Sequence, residues 1–503
     1  MRLLVVACGL MLVRPAPVLL AQTSPLESYR QAQEVLERAL VAHGGRDRVQ
    51  TAARQFTLVL DGELVHRNQS PSAARSVGTP FRMVLAGDLE RGRIRAERVG
   101  SYPGGFDWTN IDVVDSGRTR QANVGARTVT TQPGGDVANY RAMLERLPHF
   151  VLARLDNDRR GLSFAGRSTR DGRRVATIVA PVNATTLGWY HFDDKTGLLS
   201  SWERMIGDDY AGDAVVRVVP GAYRSEAGLM IPGTIDQFTG VDATHRMRTT
   251  LAVLGQAPAE SLFALAANLT DTPRQPPEEA TFDQVGPGVY LASGLAGGYR
   301  LLVADLGDHL AVMESPNGSA QCERAIARIG QQFPGKPIRY VIPTHHHDDH
   351  AGGLRAFIAA GATVVTTRGN EAPFRQMAAA QYTIQPDEQS RVRKPVQFEF
   401  VDRRKVLEGG GTRVEILDMG PGPHADEMLI AYLPASGFVF QGDLFNTGGG
   451  SADTWGNLTT VHFAEWIGKS GLTVEKIGGT HSPVRTREEL DVAARRVQQT
   501  AAH

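Results

Sequence analysis

Tyr340-Val341-Ile342-Pro343-Thr344-His345-His346-His347-Asp348-Asp349-His350-Ala351-Gly352-Gly353 runs from a short apolar strand straight into a block of ionisable side chains. Core packing does not call for such a block, because buried imidazoles and carboxylates are costly unless something compensates them. His345 and His347 are two residues apart, so on extended backbone they point to the same side. Asp349 and His350 fall at the mouth of the next helix and are offset in direction, so one loop can supply two adjacent points in space. Imidazole nitrogen and carboxylate oxygen are the donors preferred by borderline cations such as Zn²⁺. Gly352 and Gly353 carry no side chain and let backbone pack close beneath the cluster.

Three further segments share one pattern, a polar residue just beyond an apolar strand. His424 lies in Gly420-Pro421-Gly422-Pro423-His424 after Val414–Leu417, and Asp443 in Gln441-Gly442-Asp443 after Phe438-Val439-Phe440. His481 lies in Gly478-Gly479-Thr480-His481-Ser482 after Val474–Ile477. Strand ends of this kind are where open α/β sheets place ligand crevices. The first run resembles the H-x-H-x-D-H motif of the metallo-β-lactamase superfamily, and the other three follow in that family's order, over roughly residues 281–490. The resemblance implies an α/β fold, an αββα sandwich. It assigns His345, His347 and His424 to a first metal and Asp349, His350 and His481 to a second, with Asp443 bridging. It also implies two Zn²⁺, with Fe or Mn as alternatives. The reaction implied is hydrolysis of an ester, lactone, thioester, amide or phosphoester by a metal-bridging hydroxide, with Asp349 orienting the nucleophile as well as binding metal. His346 and Asp348 occupy variable positions of the motif.

The same resemblance narrows the substrate. Zinc β-lactamases typically carry Cys or Ser where this chain has Asp443, so β-lactam hydrolysis is not favoured. Only 22 residues follow His481, too few for the helical substrate domain of glyoxalase II. Walls for a substrate must come from 369–404, from 446–466 with Trp455 and Trp466, or from the first half of the chain. Two readings compete: a mononuclear-iron sulfur dioxygenase of the same superfamily, and a non-catalytic envelope protein that binds lipid or lipoprotein.

Outward from the motif the pattern changes. Residues 22–267 open with a helical stripe over Leu26–Ala42 and continue as β-rich segments such as Phe56–Leu60, Val175–Val179 and Val215–Val219. Leu144–Leu155 reads as a helix, and Trp189–Trp202 as a hairpin turning at Asp193–Gly197. The expectation is a mainly antiparallel β (α+β) domain, resembling in pattern the curved β domains of periplasmic lipoprotein carriers. Residues 268–280 (NLTDTPRQPPEEA) read as a proline-rich linker, followed by the metal-bearing domain at 281–503. Residues 1–21 resemble a signal peptide, so a periplasmic or secreted location is expected.

With 503 residues the chain has room for two domains, and 42% hydrophobic residues supply their cores. Fifty-four basic residues balance 54 acidic ones. That balance argues against a chain-wide grip on nucleic acid. No stretch is long and apolar enough for a stable membrane span. The partners expected are a small-molecule substrate and, at most, a second copy in a homodimer.

Overall fold

The computed structural model describes residues 24–115, 117–273, 279–447 and 455–501. The expected leader, the centre of the expected linker and the terminal His503 lie outside the described residues.

The first half is built on one large antiparallel meander. Its central strand, Gln55–His66, pairs with Val77–Asp88 on one side and Asp242–Leu254 on the other. Alternation turns Phe56, Leu58 and Leu60 to one face. On that face lie helices Pro25–Ala42, Arg46–Arg54 and Pro148–Asn157, which contribute Val35, Leu36, Val49, Val151 and Leu152 to the same core. Ser24 caps the first helix by accepting from the Glu27 amide at 3.2 Å, with Pro25 at its first position. The hairpin at Asp193–Gly197 is present between strands Leu187–Asp193 and Leu199–Asp208. The helix expected over Leu144–Leu155 is instead broken. A short Arg141–Leu144 turn ends before Pro148, which cannot continue a helix and starts the next one. The expected linker also begins differently, since Thr270–Asp271 pairs in parallel with Thr128–Val129 and adds an edge to the first sheet.

The second half is a four-layer α/β sandwich. One mixed sheet runs through strands Thr281–Gly286 to Phe398–Phe400, and a second from Arg404–Gly409 to Arg485–Thr486. Alternation along strand Tyr299–Asp305 separates the layers. Leu301 and Val303 face helices Ser319–Gln332 and Leu354–Ala360, while Leu302 and Ala304 face the other sheet. Between the sheets they meet Val414, Ile416, Leu429, Ala431, Phe438 and Phe440. Behind the second sheet, Ile430 and Val439 pack on helices Leu458–Ser470 and Arg487–Ala501. Cys322 is a buried free thiol, and Cys8 lies outside the described residues. No described helix is long and apolar enough to cross a membrane.

Two buried histidines in the first domain give its stability a pH dependence. His149 is fully buried, neither ring nitrogen has a hydrogen-bond partner among the described residues, and the His43 ring stands 6.1 Å away, edge-on. Burial and that neighbour push its pKa down to about 3, against 6.5 for an ordinary imidazole. The unfolded chain therefore binds a proton through this window that the folded chain refuses. Stability is full above pH 6.5 and falls as pH drops toward 3. By pH 5 this histidine alone costs about 2 kcal/mol. A His149→Leu variant should flatten the decline: denaturant midpoints of wild type and variant, compared at pH 7.5 and pH 5, should diverge in the variant's favour on acidification.

Candidate metal centre

The site forms where the two sheets of the second half present their strand ends to each other. Strand Ile338–Ile342 delivers Thr344–His347, and the single turn Asp348–Ala351 carries Asp349 and His350. His424 follows strand Thr412–Asp418, Asp443 follows Phe438–Gln441, and His481 follows Lys476–Gly479. The close packing needs glycine at two points. A Cβ on Gly353 would lie 2.2 Å from Cys322 Sγ, and one on Gly442 would lie 2.6 Å from Thr344 Oγ1.

All seven expected ligands come together. His345, His347, His424 and Asp443 form one group, and Asp349, His350, Asp443 and His481 another, with the donor atoms of each group within 4.8 Å of one another. Asp443 belongs to both. Its Oδ2 lies 2.9 Å from His350 Nε2 and 3.0 Å from His424 Nε2, and its Oδ1 lies 2.9 Å from His481 Nε2. His345 Nε2 stands 3.0 Å from His424 Nε2, and His350 Nε2 3.2 Å from His481 Nε2. Donors about 2.0–2.1 Å from a tetrahedral cation stand about 3.3–3.4 Å from one another, close to these spacings.

The outer hydrogen bonds set which nitrogen of each ring faces inward. Glu314 is fully buried and accepts from Thr344 Oγ1 (2.7 Å), Thr480 Oγ1 (3.0 Å) and His350 Nδ1 (3.1 Å). Because the Thr344 hydroxyl donates to Glu314, it accepts from His345 Nδ1 at 2.9 Å. His345 and His350 are thereby left with Nε2 as the nitrogen directed into the cluster. His347 uses the opposite nitrogen: its Nε2 donates to the Ser70 carbonyl at 3.0 Å. Its buried Nδ1 has no hydrogen-bond partner among the described residues. A buried, unpartnered lone pair among imidazoles and carboxylates fits a cation, which supplies the missing acceptor of electrons.

Electrostatics agree with that fit. Burial and the surrounding imidazoles hold His345 and His347 well below the ordinary imidazole range, in the neutral form that ligates. Burial pulls His350 and His481 down as well, but Asp443 and Asp349 outweigh it. His350 is raised well above its ordinary value and His481 to about 9. Asp443 and Asp349, both half-buried, are held well below the carboxylate range by those same rings. The carboxylates thus hold positive charge at the second group, as protons or as a cation that displaces them.

A cavity of about 400 Å³ opens onto the cluster. Its aromatic lining is Tyr299 from the second half and Tyr102 and Phe106 from the first, at the tip between strands Arg93–Tyr102 and Phe106–Asp115. Burial and the Asp349 carboxylate push the Tyr299 phenol up to about 12, so it remains a neutral donor. Asn446, Asn457 and Thr459 border the cavity, as expected of 446–466. Within that stretch Trp455 stacks on Phe106 (6.3 Å between centroids), whereas Trp466 packs against the core behind the second sheet. The 369–404 segment does not reach the cavity. It docks the two halves instead, with the Tyr382 hydroxyl donating to the Asp209 carbonyl (2.6 Å) and the Ile384 amide to Asp213 Oδ1 (3.0 Å).

Glu314, Gln69, Ser70, Tyr102 and Phe106 were not expected from the sequence. For Glu314 a faint signal exists, an acid immediately after the apolar strand Leu310–Met313. The others reach the site only through the docking of the two halves. His346, at a variable motif position, is buried and contributes its carbonyl to the Tyr210 hydroxyl, and Asp348 accepts from Gln69. Replacing Glu314 with Gln should weaken cation binding about 10–100-fold, the usual cost of losing an outer partner. Competition against a chromogenic chelator measures it.

Among known proteins, the profile of the metallo-beta-lactamase superfamily matches residues 321–481. Similar solved structures include the metallo-beta-lactamase FIM-1 from Pseudomonas aeruginosa in its mono-zinc form, at 20% identity and a TM-score of 0.35, covering 45% of this chain and 99% of that one. A metallo-beta-lactamase from Pontibacter korlensis is 18% identical with a TM-score of 0.31, covering 44% and 99% of the two chains. One from Hirschia baltica is 19% identical with a TM-score of 0.33, covering 43% and 97%. The profile does not extend into the first 320 residues. With its candidate ligand segments in family order at the ends of the two stacked sheets, the second half of the chain matches, over residues 321–481, the profile of the metallo-beta-lactamase superfamily.

Proposed function

We propose that the protein is a hydrolase that uses two divalent cations, Zn²⁺ in the first instance, to cleave a carboxylic ester, lactone, thioester or amide, or a phosphoester. The observation that carries this reading is the pair of overlapping ligand groups sharing Asp443 at the floor of a cavity. Two cations so placed would supply a water of lowered pKa and polarise the oxygen of the scissile group. The chain's own part is to hold and orient. His345, His347 and His424 would hold one cation, Asp349, His350 and His481 the other, and Asp443 both. Asp349 gives one oxygen, Oδ1, to Gln69 and turns Oδ2 toward the cluster, 3.3 Å from His481 Nε2. From there it can orient an attacking water and accept its proton. The neutral Tyr299 hydroxyl is a donor available to a substrate oxygen.

The cavity's aromatic side favours an acyl or aryl group lying against Tyr102 and Phe106. Asp443 at the bridging position supports thioester, lactone or phosphodiester cleavage over that of β-lactams. We further propose that the protein is exported, on the strength of its first 21 residues.

Metal content by mass spectrometry, paired with a panel of lactones, thioesters, aryl esters, phosphodiesters and a chromogenic β-lactam, tests the reading. Turnover should vanish on chelation and return with Zn²⁺. Asp349→Ala should lose one cation and turnover together, and a fully loaded, active variant would remove Asp349 from its role. A single iron with sulfur-oxygenating activity would replace hydrolysis by the dioxygenase reading. Phe106→Ala should raise KM for an aryl ester about tenfold, roughly 1.4 kcal/mol, with kcat little changed.

A further inference from the structure

We infer that the first domain is part of the metal centre, with Gln69 a positioning residue that holds Asp349 in its ligating orientation and the Ser70 carbonyl setting the tautomer of His347. The inference rests on the metal reading of the cluster and assigns a task to a domain that the family match does not reach.

The loop after strand Gln55–His66 enters the second half at the ligand cluster itself. Gln69 Nε2 donates to Asp348 Oδ1 at 2.5 Å and to Asp349 Oδ1 at 2.8 Å. One amide nitrogen has two hydrogens, and two adjacent carboxylates are acceptors only, so the match is complete and the orientation of the amide is unambiguous. Held at Oδ1, Asp349 is left with Oδ2 toward His350 and His481, at 3.5 and 3.3 Å. Without the amide, two neighbouring carboxylates would face each other with no donor between them, and repulsion would turn them apart.

Ser70 does a different job. A carbonyl can only accept, so its 3.0 Å contact requires the proton of His347 on Nε2 and leaves Nδ1 for the cluster. Ser70 is fully buried. The next residue continues the line: the Pro71 carbonyl accepts from the amide of Asp426, two residues beyond His424, at 2.8 Å.

The loop is itself braced. Arg67 pairs with Asp208 at 2.5 Å, and two residues on, the Tyr210 hydroxyl donates to the His346 carbonyl. A surface serving only to join domains would bond wherever polar groups happened to meet. Here the bonds that Gln69, Ser70, Pro71 and Tyr210 make to the second half fall on Asp348, Asp349, His347, Asp426 and His346, each a candidate ligand or within two residues of one.

The test uses the full chain with Gln69→Met, which keeps the side chain's length and removes both donors, and Gln69→Ala should Met destabilise the fold. Zn²⁺ affinity at each site is read by chelator competition. Co²⁺ titration gives each site's visible spectrum, and thermal unfolding of the metal-free protein reports the fold. Expected is a 10–100-fold loss of affinity at the second site, a changed Co²⁺ spectrum there, an unchanged first site and an unchanged metal-free midpoint. Second-site affinity within twofold of wild type would overturn the inference. So would parallel weakening of both sites with a lowered metal-free midpoint, which marks a residue of domain packing only. A wild type that binds two cations and hydrolyses nothing in the panel would remove the hydrolase reading and leave this inference standing on the binding data.

Discussion

The second half of the molecule depends on one buried carboxylate. Glu314 has no exposed surface and sits between the ends of the two sheets, where an unpaired charge would be strongly destabilising. Three donors answer it: Thr344 and His350 from the loop after one sheet's strand, and Thr480 from the end of a strand in the other. Satisfying that charge fixes the distance between the sheets at their open end. It also fixes the rotation of His350 directly and of His345 through the Thr344 hydroxyl. The inward-facing nitrogens are thus a consequence of pairing a charge several ångströms behind them.

A second constraint comes from across the domain boundary. The first domain places aromatic rings along the cavity and hydrogen-bond partners behind two ligands, so the two halves share one site. Its large antiparallel sheet gives the loop at Gln69 and the turn at Tyr210 a rigid base. Both lie at ends of long paired strands packed on a helical core. Rigid elements hold ligands more accurately than free loops do, and small displacements at a metal centre cost binding.

The candidate ligand set was legible in the chain because its side chains serve no purpose in a core. Imidazoles and carboxylates at strand ends, in a fixed order, have no packing explanation, and all seven converge. An α/β layered domain was legible from alternating strand and helix segments, and the αββα order from the resemblance that the motifs carry. Less could be read where identity and role separate. Gln69 is one of many polar loop residues, and Ser70 acts through its backbone, which every residue has. The break at Pro148 had a visible cause in proline, yet the apolar spacing across Leu144–Leu155 masked it. Trp455 and Trp466 look alike in sequence, but one stacks on the other domain's Phe106 and one fills a core.

By itself, then, the sequence determined which side chains gather as candidate cation ligands, since donor chemistry belongs to side-chain identity and strand ends follow from hydropathy patterning. Tertiary structure decided which nitrogen of each imidazole faces inward, what holds Asp349, and that the first domain walls the site. Those properties rest on partners several of which lie far along the chain, 36 residues from His350 to Glu314 and 277 from His347 to Ser70, and no local spacing encodes such a pairing. They arise only when two separately formed cores dock and each buried donor must find an acceptor.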